Sequence, residues 1–189
     1  SSDVCSSDLQ HHDRDRFEQI YEKYHGMVYN YVYRLLLNRE DTEDLVSDIF
    51  LRAMQSFSRY ERKKGEISTW LCGIAHKRVV DFFRSAAVRT NLSLEELWEN
   101  GNFPEEARDD WTEGTAEWEV REILRRLRVQ ERELLGWRYV WGLSNREIAR
   151  KLNITEQAVV GRFHRVLAKC REIAKDMGVE GVRERIGNV

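Results

Sequence analysis

Apolar positions in this chain recur three and four residues apart in long runs, and short polar breaks separate the runs. In the first run, Phe17, Ile20, Tyr21, Tyr24, Met27, Val28, Tyr31, Val32 and Leu35 form one face of a long helix. Asn38 and Arg39 break that pattern, and Asp41 is the expected N-cap of the next helix. There the core face takes Leu45, Val46, Ile49, Phe50, Ala53, Met54 and Phe57. The opposite face carries Asp44, Ser47, Asp48, Leu51 and Arg52. After the basic loop SRYERKKGEI, Ser68 is the expected cap of a third helix with Leu71, Ile74, Ala75 and Phe82 inward. Its other side gathers Trp70, His76, Lys77, Arg78 and Arg84.

Regular periodicity stops near Ala86 and returns near Val120. The interval Ala86–Glu119 reads as a linker with a short helix around Ser93–Trp98, and it holds the only proline. Beyond it, Ile123, Leu124, Leu127, Leu134 and Leu135 predict one or two helices. Ser144 with Glu147 three residues on is a capping box, and Ile148, Ala149 and Leu152 form the inner face that follows. Asn153-Ile154 makes a turn, and Thr155 caps a last helix. On that helix Val159, Phe163 and Val166 share one side, while Gln157, Val160, Gly161, His164 and Arg165 share the other. A core face and a polar face back to back on the second helix of such a pair is the helix-turn-helix arrangement. A plain helical hairpin in a bundle is the alternative. The expected fold is all-α: two small helical domains, residues 10–85 and 120–175, joined by a linker over 86–119 and followed by a tail over 176–189.

Net charge is −2, but the charge is segregated. Residues 14–85 hold 13 Lys and Arg against 11 acids, residues 95–119 hold 10 acids against one Arg, and residues 120–175 hold 14 Lys and Arg against six Glu. A basic end offset by an acidic middle suggests a nucleic-acid-binding module with an acidic connector. Trp98, Trp111 and Trp118 are unusual in a free linker, since disordered segments are poor in aromatics, and they suggest docking.

Cys5, Cys72 and Cys170 form no CxxC pair, which suits a reducing cytoplasm. Cys72 and His76 lie four apart, too few ligands for a structural zinc site, so neither metal nor cofactor is expected. No run reaches the length of a membrane span, which predicts a soluble cytoplasmic protein. No catalytic arrangement supports a helical enzyme. Ser1–Leu9 spells what a common sequencing-adapter oligonucleotide encodes in frame. It is read as an artefact that replaces the natural start.

Two blocks carry a family resemblance. DTEDLVSDIFLRAMQSFSRYE followed by STWLCGIAHKRVVDFFR resembles the second conserved region of bacterial RNA polymerase sigma factors of the extracytoplasmic-function (ECF) group. ERELLGWRYVWGLSNREIARKLNITEQAVVGRFHRVLAK resembles their fourth. The resemblance implies a promoter-specificity subunit for core RNA polymerase. It assigns Asp44, Ser47, Asp48, Leu51 and Arg52 to the clamp helices of the beta-prime subunit. Tyr60, Lys63, Lys64, Trp70, Lys77 and Arg78 are assigned to opening the minus-ten element and holding an extruded base. The carboxy-terminal domain is assigned to the beta flap and the minus-thirty-five element, and the acidic linker to the RNA exit path. An anti-sigma factor is a further implied partner.

Where the family's recognition helix runs Thr-Val-Lys/Arg-Ser-Arg, this chain has Ala158, Val159, Val160, Gly161 and Arg162. Base readout then falls to Gln157, His164 and Arg165, with Arg162 on phosphate. Lys77 stands where the family commonly has Asn, and Val129 where it frequently has proline. The remaining alternatives are a stand-alone helix-turn-helix regulator and a degenerate relative that binds polymerase without reading promoters.

Overall fold

The computed structural model describes residues 3–61, 63, 65–90, 93–100 and 115–179, with side chains described from residue 16 onward and not for residues 99 and 100. Among the described residues the regular elements are all helices, without a strand. The order is α1 (Asp3–Leu36), α2 (Arg39–Ser56), a 3-10 turn (Phe57–Arg59), α3 (Ile67–Thr90) and α4 (Leu94–Asn100). Then follow α5 (Ala116–Arg125), α6 (Val129–Leu135), a π turn (Gly136–Val140), α7 (Asn145–Leu152) and α8 (Glu156–Asp176).

Helices α1, α2 and α3 pack through the apolar stripes visible in the sequence. Val28, Tyr31, Val32, Leu35, Ile49, Ala53, Leu71 and Ala75 are fully buried. Two stripe residues point outward instead: Tyr21 is 43% and Met54 51% exposed. Met54 lies at the edge of an apolar arc too wide for α2, packed only between α1 and α3, to bury, and the Tyr21 ring lies edge-on to Phe50 at 4.7 Å. The start signals also differ from expectation at two places. Asn38, not Asp41, caps α2, its side-chain oxygen accepting the Asp41 N–H at 3.0 Å. Helix α3 begins at Ile67, one residue before Ser68.

Helix α3 runs on to Thr90, past the expected linker start, and α5 begins at Ala116, before the expected linker end. Between them Ser93 and Glu96 form a reciprocal cap on α4: the Glu96 N–H donates to Ser93 Oγ at 3.0 Å, and the Ser93 N–H to Glu96 Oε2 at 2.7 Å. Trp98 on α4 does dock, its ring edge-on to Phe83 at 4.9 Å. Trp118 is half-buried, and Trp111 lies outside the described residues.

Helices α6, α7 and α8 form the carboxy-terminal unit. Ser144 and Glu147 make the capping box, Asn153 adopts the left-handed conformation (φ 52°), and Thr155 caps α8. Left-handed backbone is tolerated by Asn more readily than by most residues, so the tight turn fits its sequence. Leu135, Ile148 and Val159 are fully buried beneath it.

The two halves share one hydrophobic core. Helix α6 and the π turn pack on α1, where the Gly136 backbone comes so close to Tyr31 that a Cβ would sit 2.9 Å from the ring. The Trp141 ring meets Tyr31 edge-on at 5.6 Å. Polar groups in this seam are matched across long sequence separations. Tyr31 Oη donates to Glu133 Oε1 at 3.1 Å, and His76 Nδ1 lies 2.6 Å from the same oxygen. Arg132, 1% exposed, donates to the carbonyls of Leu35 (2.8 Å) and Leu127 (3.1 Å). Burial pushes the Arg132 guanidinium down to about 10, so it remains charged at neutral pH. Burial, then the neighbouring Glu133 carboxylate, raises the Tyr31 hydroxyl well above its usual range.

Candidate polymerase and nucleic-acid interfaces

On α2 the exposed side carries Asp44, Ser47, Leu51 (48% exposed) and Arg52, with Asp48 half-buried at its edge. Met54 joins Leu51 one turn on, so the face is more apolar than the sequence suggested. The three-residue spacing of Leu51 and Met54 was the available signal. Asp48 does not stand free. Its carboxylate pairs with Arg52 at 3.6 Å along α2 and with Arg78 Nε across to α3.

Arg78 therefore joins α2 to α3, its Nη1 also reaching Asp81 at 3.0 Å. Among the residues assigned to the minus-ten element, Lys63 and Lys77 are exposed and Lys64 lies outside the described residues. Tyr60 and Trp70 are half-buried and meet at 5.2 Å between ring centroids. Tyr60 also stacks on Phe57, 6.2 Å away and 10° from parallel, and its hydroxyl donates to the Gly65 carbonyl at 2.8 Å. Beside this aromatic group opens a cavity of about 340 Å³ lined by Arg16, Lys23, Tyr24, Phe57 and Tyr60 among others. Aromatic faces with cations near them are what an unstacked base requires. Arg16 and Lys23 were missed because they lie on α1, forty residues from the loop they face.

On α8, Gln157, Arg162, His164 and Arg165 are exposed, Val160 is 36% exposed and Gly161 is half-buried. Val159, Phe163 and Val166 are buried on the other side. Arg138 steadies the base of the unit, donating to the Leu143 carbonyl (3.2 Å) and Asn145 Oδ1 (3.0 Å) while lying over the Phe163 ring. Arg162 and Arg165 also border a cavity of about 650 Å³ whose walls include Trp98, Trp137 and Lys169. Lys169 is tied to Glu131 at 2.8 Å. Burial acts to raise the Glu131 carboxyl, but hydrogen bonds from Lys169 and from Arg128 outweigh it and hold the group below its usual range.

Cys72 is fully buried, and His76 Nδ1 faces Glu133 Oε1. Burial pushes the Cys72 thiol up to about 12 and the Cys170 thiol up to about 11. Among the described residues no helix is long and apolar enough to cross a membrane.

Against known families, residues 20–89 match the sigma-70 region 2 model and residues 117–170 the sigma-70 region 4 model, together about two thirds of the chain. The chain is 28% identical over 137 residues to the ECF RNA polymerase sigma factor BldN of Streptomyces coelicolor, covering 72% of this chain and 52% of that one. It is 25% identical over 169 residues to the ECF RNA polymerase sigma factor SigX of Bacillus subtilis, covering 86% of this chain and 87% of that one. The fold resembles that of the sigma factor RpoE of Bartonella quintana, solved with the anti-sigma factor NepR, at TM-score 0.69 and 18% identity over 85% of this chain and 97% of that one. An all-α fold whose two units match these two regions in this order defines the class. The chain belongs to the sigma-70 family, in its ECF group.

Proposed function

We propose that this chain binds core RNA polymerase and directs it to specific promoters at transcription initiation. The observation that carries this reading is the pairing, on one chain, of a region 2 match bearing an exposed, partly apolar α2 face with a region 4 match presenting an exposed recognition helix. The α2 face, Asp44, Ser47, Leu51 and Arg52 with Met54 added, would meet the beta-prime clamp helices. Asp48 and Arg78, paired with each other, would brace that face.

Lys63, Lys64, Trp70 and Lys77 would engage the opened minus-ten strand, with Tyr60 at the cavity beside Phe57 holding an extruded base. Extrusion costs a few kcal/mol, which stacking worth about 1–3 kcal/mol per base offsets in part. In the carboxy-terminal unit, Gln157, His164 and Arg165 would read base edges of the minus-thirty-five element. Arg162 would hold phosphate, and Val160 and Gly161 would let the helix approach closely. The same unit would contact the beta flap. The net charge of −2 fits a factor that each domain anchors weakly and polymerase holds in place. A cytoplasmic location and an anti-sigma partner belong to the same proposal; the Bartonella sigma factor of similar fold was solved with an anti-sigma factor.

The test is co-purification with core polymerase followed by run-off transcription on a genomic library. Leu51→Arg is expected to abolish co-purification. Arg165→Ala is expected to leave co-purification intact and to reduce cognate transcription about tenfold or more, the worth of a good base contact. Failure to form any complex with core polymerase overturns the reading. Tight, palindrome-specific binding to DNA by the chain alone favours a stand-alone regulator instead.

A further inference from the structure

Helix α8 divides its faces between the fold and the outside. Val159, Phe163 and Val166 are buried in the carboxy-terminal unit, and Thr155 fixes the start of the helix by accepting the Ala158 N–H at 3.1 Å. Gln157, Val160, Gly161 and His164 follow one another at three and four residues, so they share the opposite face. They occupy the opening turns of the helix, the part of a recognition helix that meets base edges.

Two neighbours in the middle of that face serve no need of the fold. Val160 is 36% exposed and lies outside the hydrophobic core. An added Cβ at Gly161 would meet nothing nearer than Arg165 Nη1 at 3.7 Å, so the surroundings do not demand glycine there. Valine and glycine are also poorer helix formers than the polar residues common on exposed helix faces. Their use here answers to something outside the chain. The β-branched side chain of Val160 is held to one rotamer in a helix and so presents a fixed apolar surface. Gly161 beside it removes bulk, which lets a short side chain reach a base.

An apolar surface at this place has one partner in the major groove. The C5-methyl of thymine is the apolar group offered there, and the other base-edge groups are hydrogen-bond donors and acceptors. Set against valine, those polar groups would lose water without gaining a partner, which is unfavourable. Val160 therefore favours thymine twice, by contact with the methyl and by penalising the competing bases.

We propose that Val160 selects a thymine in the minus-thirty-five element by packing on its C5-methyl, with Gly161 setting the close approach. The inference rests on the promoter-directing reading above and deepens it. Gln157 and His164, on either side of Val160 along the helix, are left to hydrogen-bond to the flanking bases.

The experiment starts from a promoter recovered by the genomic run-off, transcribed by core polymerase carrying the full chain at subsaturating concentration. Each thymine of the minus-thirty-five duplex is replaced in turn by uracil, which pairs identically but lacks the methyl. One such replacement is expected to lower the rate of transcription about fourfold, the worth of one methyl group taken out of water. The others are expected to change it little. In Val160→Ala, whose altered side chain lies outside the core, the same replacement is expected to have no further effect, because the partner of the methyl is already gone. Full tolerance of uracil at every position, a minus-thirty-five duplex without thymine, or an undiminished uracil effect in Val160→Ala overturns the inference and leaves the promoter-directing reading intact. A chain that yields no promoter with core polymerase overturns that reading and this inference together.

Discussion

Gly161 sits in the middle of α8, where glycine costs about 1 kcal/mol of helix propensity relative to alanine. Nothing in the fold requires it. An added Cβ would meet only Arg165 Nη1, at an ordinary 3.7 Å. Gly161→Ala is therefore expected to stabilise the chain by about 0.5–1 kcal/mol, measured by denaturant unfolding. A loss of promoter binding in that more stable variant would show that the small residue serves close approach to DNA. Cys72 gives a second single-residue expectation. With its thiol buried and pushed up to about 12, it should resist thiol reagents at pH 8 until the chain unfolds. Mass spectrometry after timed iodoacetamide labelling reads this directly. Both expectations could be framed from the sequence only in part. The glycine and the cysteine were visible, but the open space beside one and the enclosure of the other depend on neighbours.

At the scale of elements, the strongest local signals were the caps of the carboxy-terminal unit. Ser144→Ala is expected to cost about 1 kcal/mol, since Ser144 Oγ accepts the Glu147 N–H at 3.3 Å and the Glu147 carboxylate accepts the Ser144 N–H at 2.8 Å. Hydrogen bonds from the Ser144 side chain and backbone hold the Glu147 carboxyl below its ordinary 4.5, as Lys169 and Arg128 do for Glu131. Groups depressed on folding contribute stability above the unfolded value, and that contribution is lost as pH falls through the folded value. Tm is thus expected to fall as pH drops below about 4.5, and less steeply in Glu131→Gln, in a Tm series from pH 6 to 3. These caps were legible because donor and acceptor lie three residues apart. The α2 and α3 starts were misread for a related reason. Asn38, Asp41 and Ser68 are all competent caps, and the choice among them is made by where the preceding chain enters. Met54 was misplaced because periodicity gives the apolar arc of α2 but not how many neighbours cover it.

For the whole molecule, the sequence announced two helical units and left their relation open. Tyr31 and Glu133 are 102 residues apart, and no spacing rule links them. Glu133→Ala is expected to cost about 1–3 kcal/mol by stranding the buried Tyr31 hydroxyl and releasing His76. Gly136→Ala is expected to cost about 1–3 kcal/mol through overpacking against Tyr31. Urea unfolding measures each, and the double variant should fall short of additive because both act on one seam.

That shared seam has a practical corollary for anyone handling the molecule. A calorimetric trace should show one cooperative endotherm, not a pair of smaller ones. Either half expressed by itself would leave greasy surface bare, Tyr31 and Leu35 on one piece and Trp137 and Trp141 on the other. Such fragments should be sticky in solution, and mixing them should restore solubility.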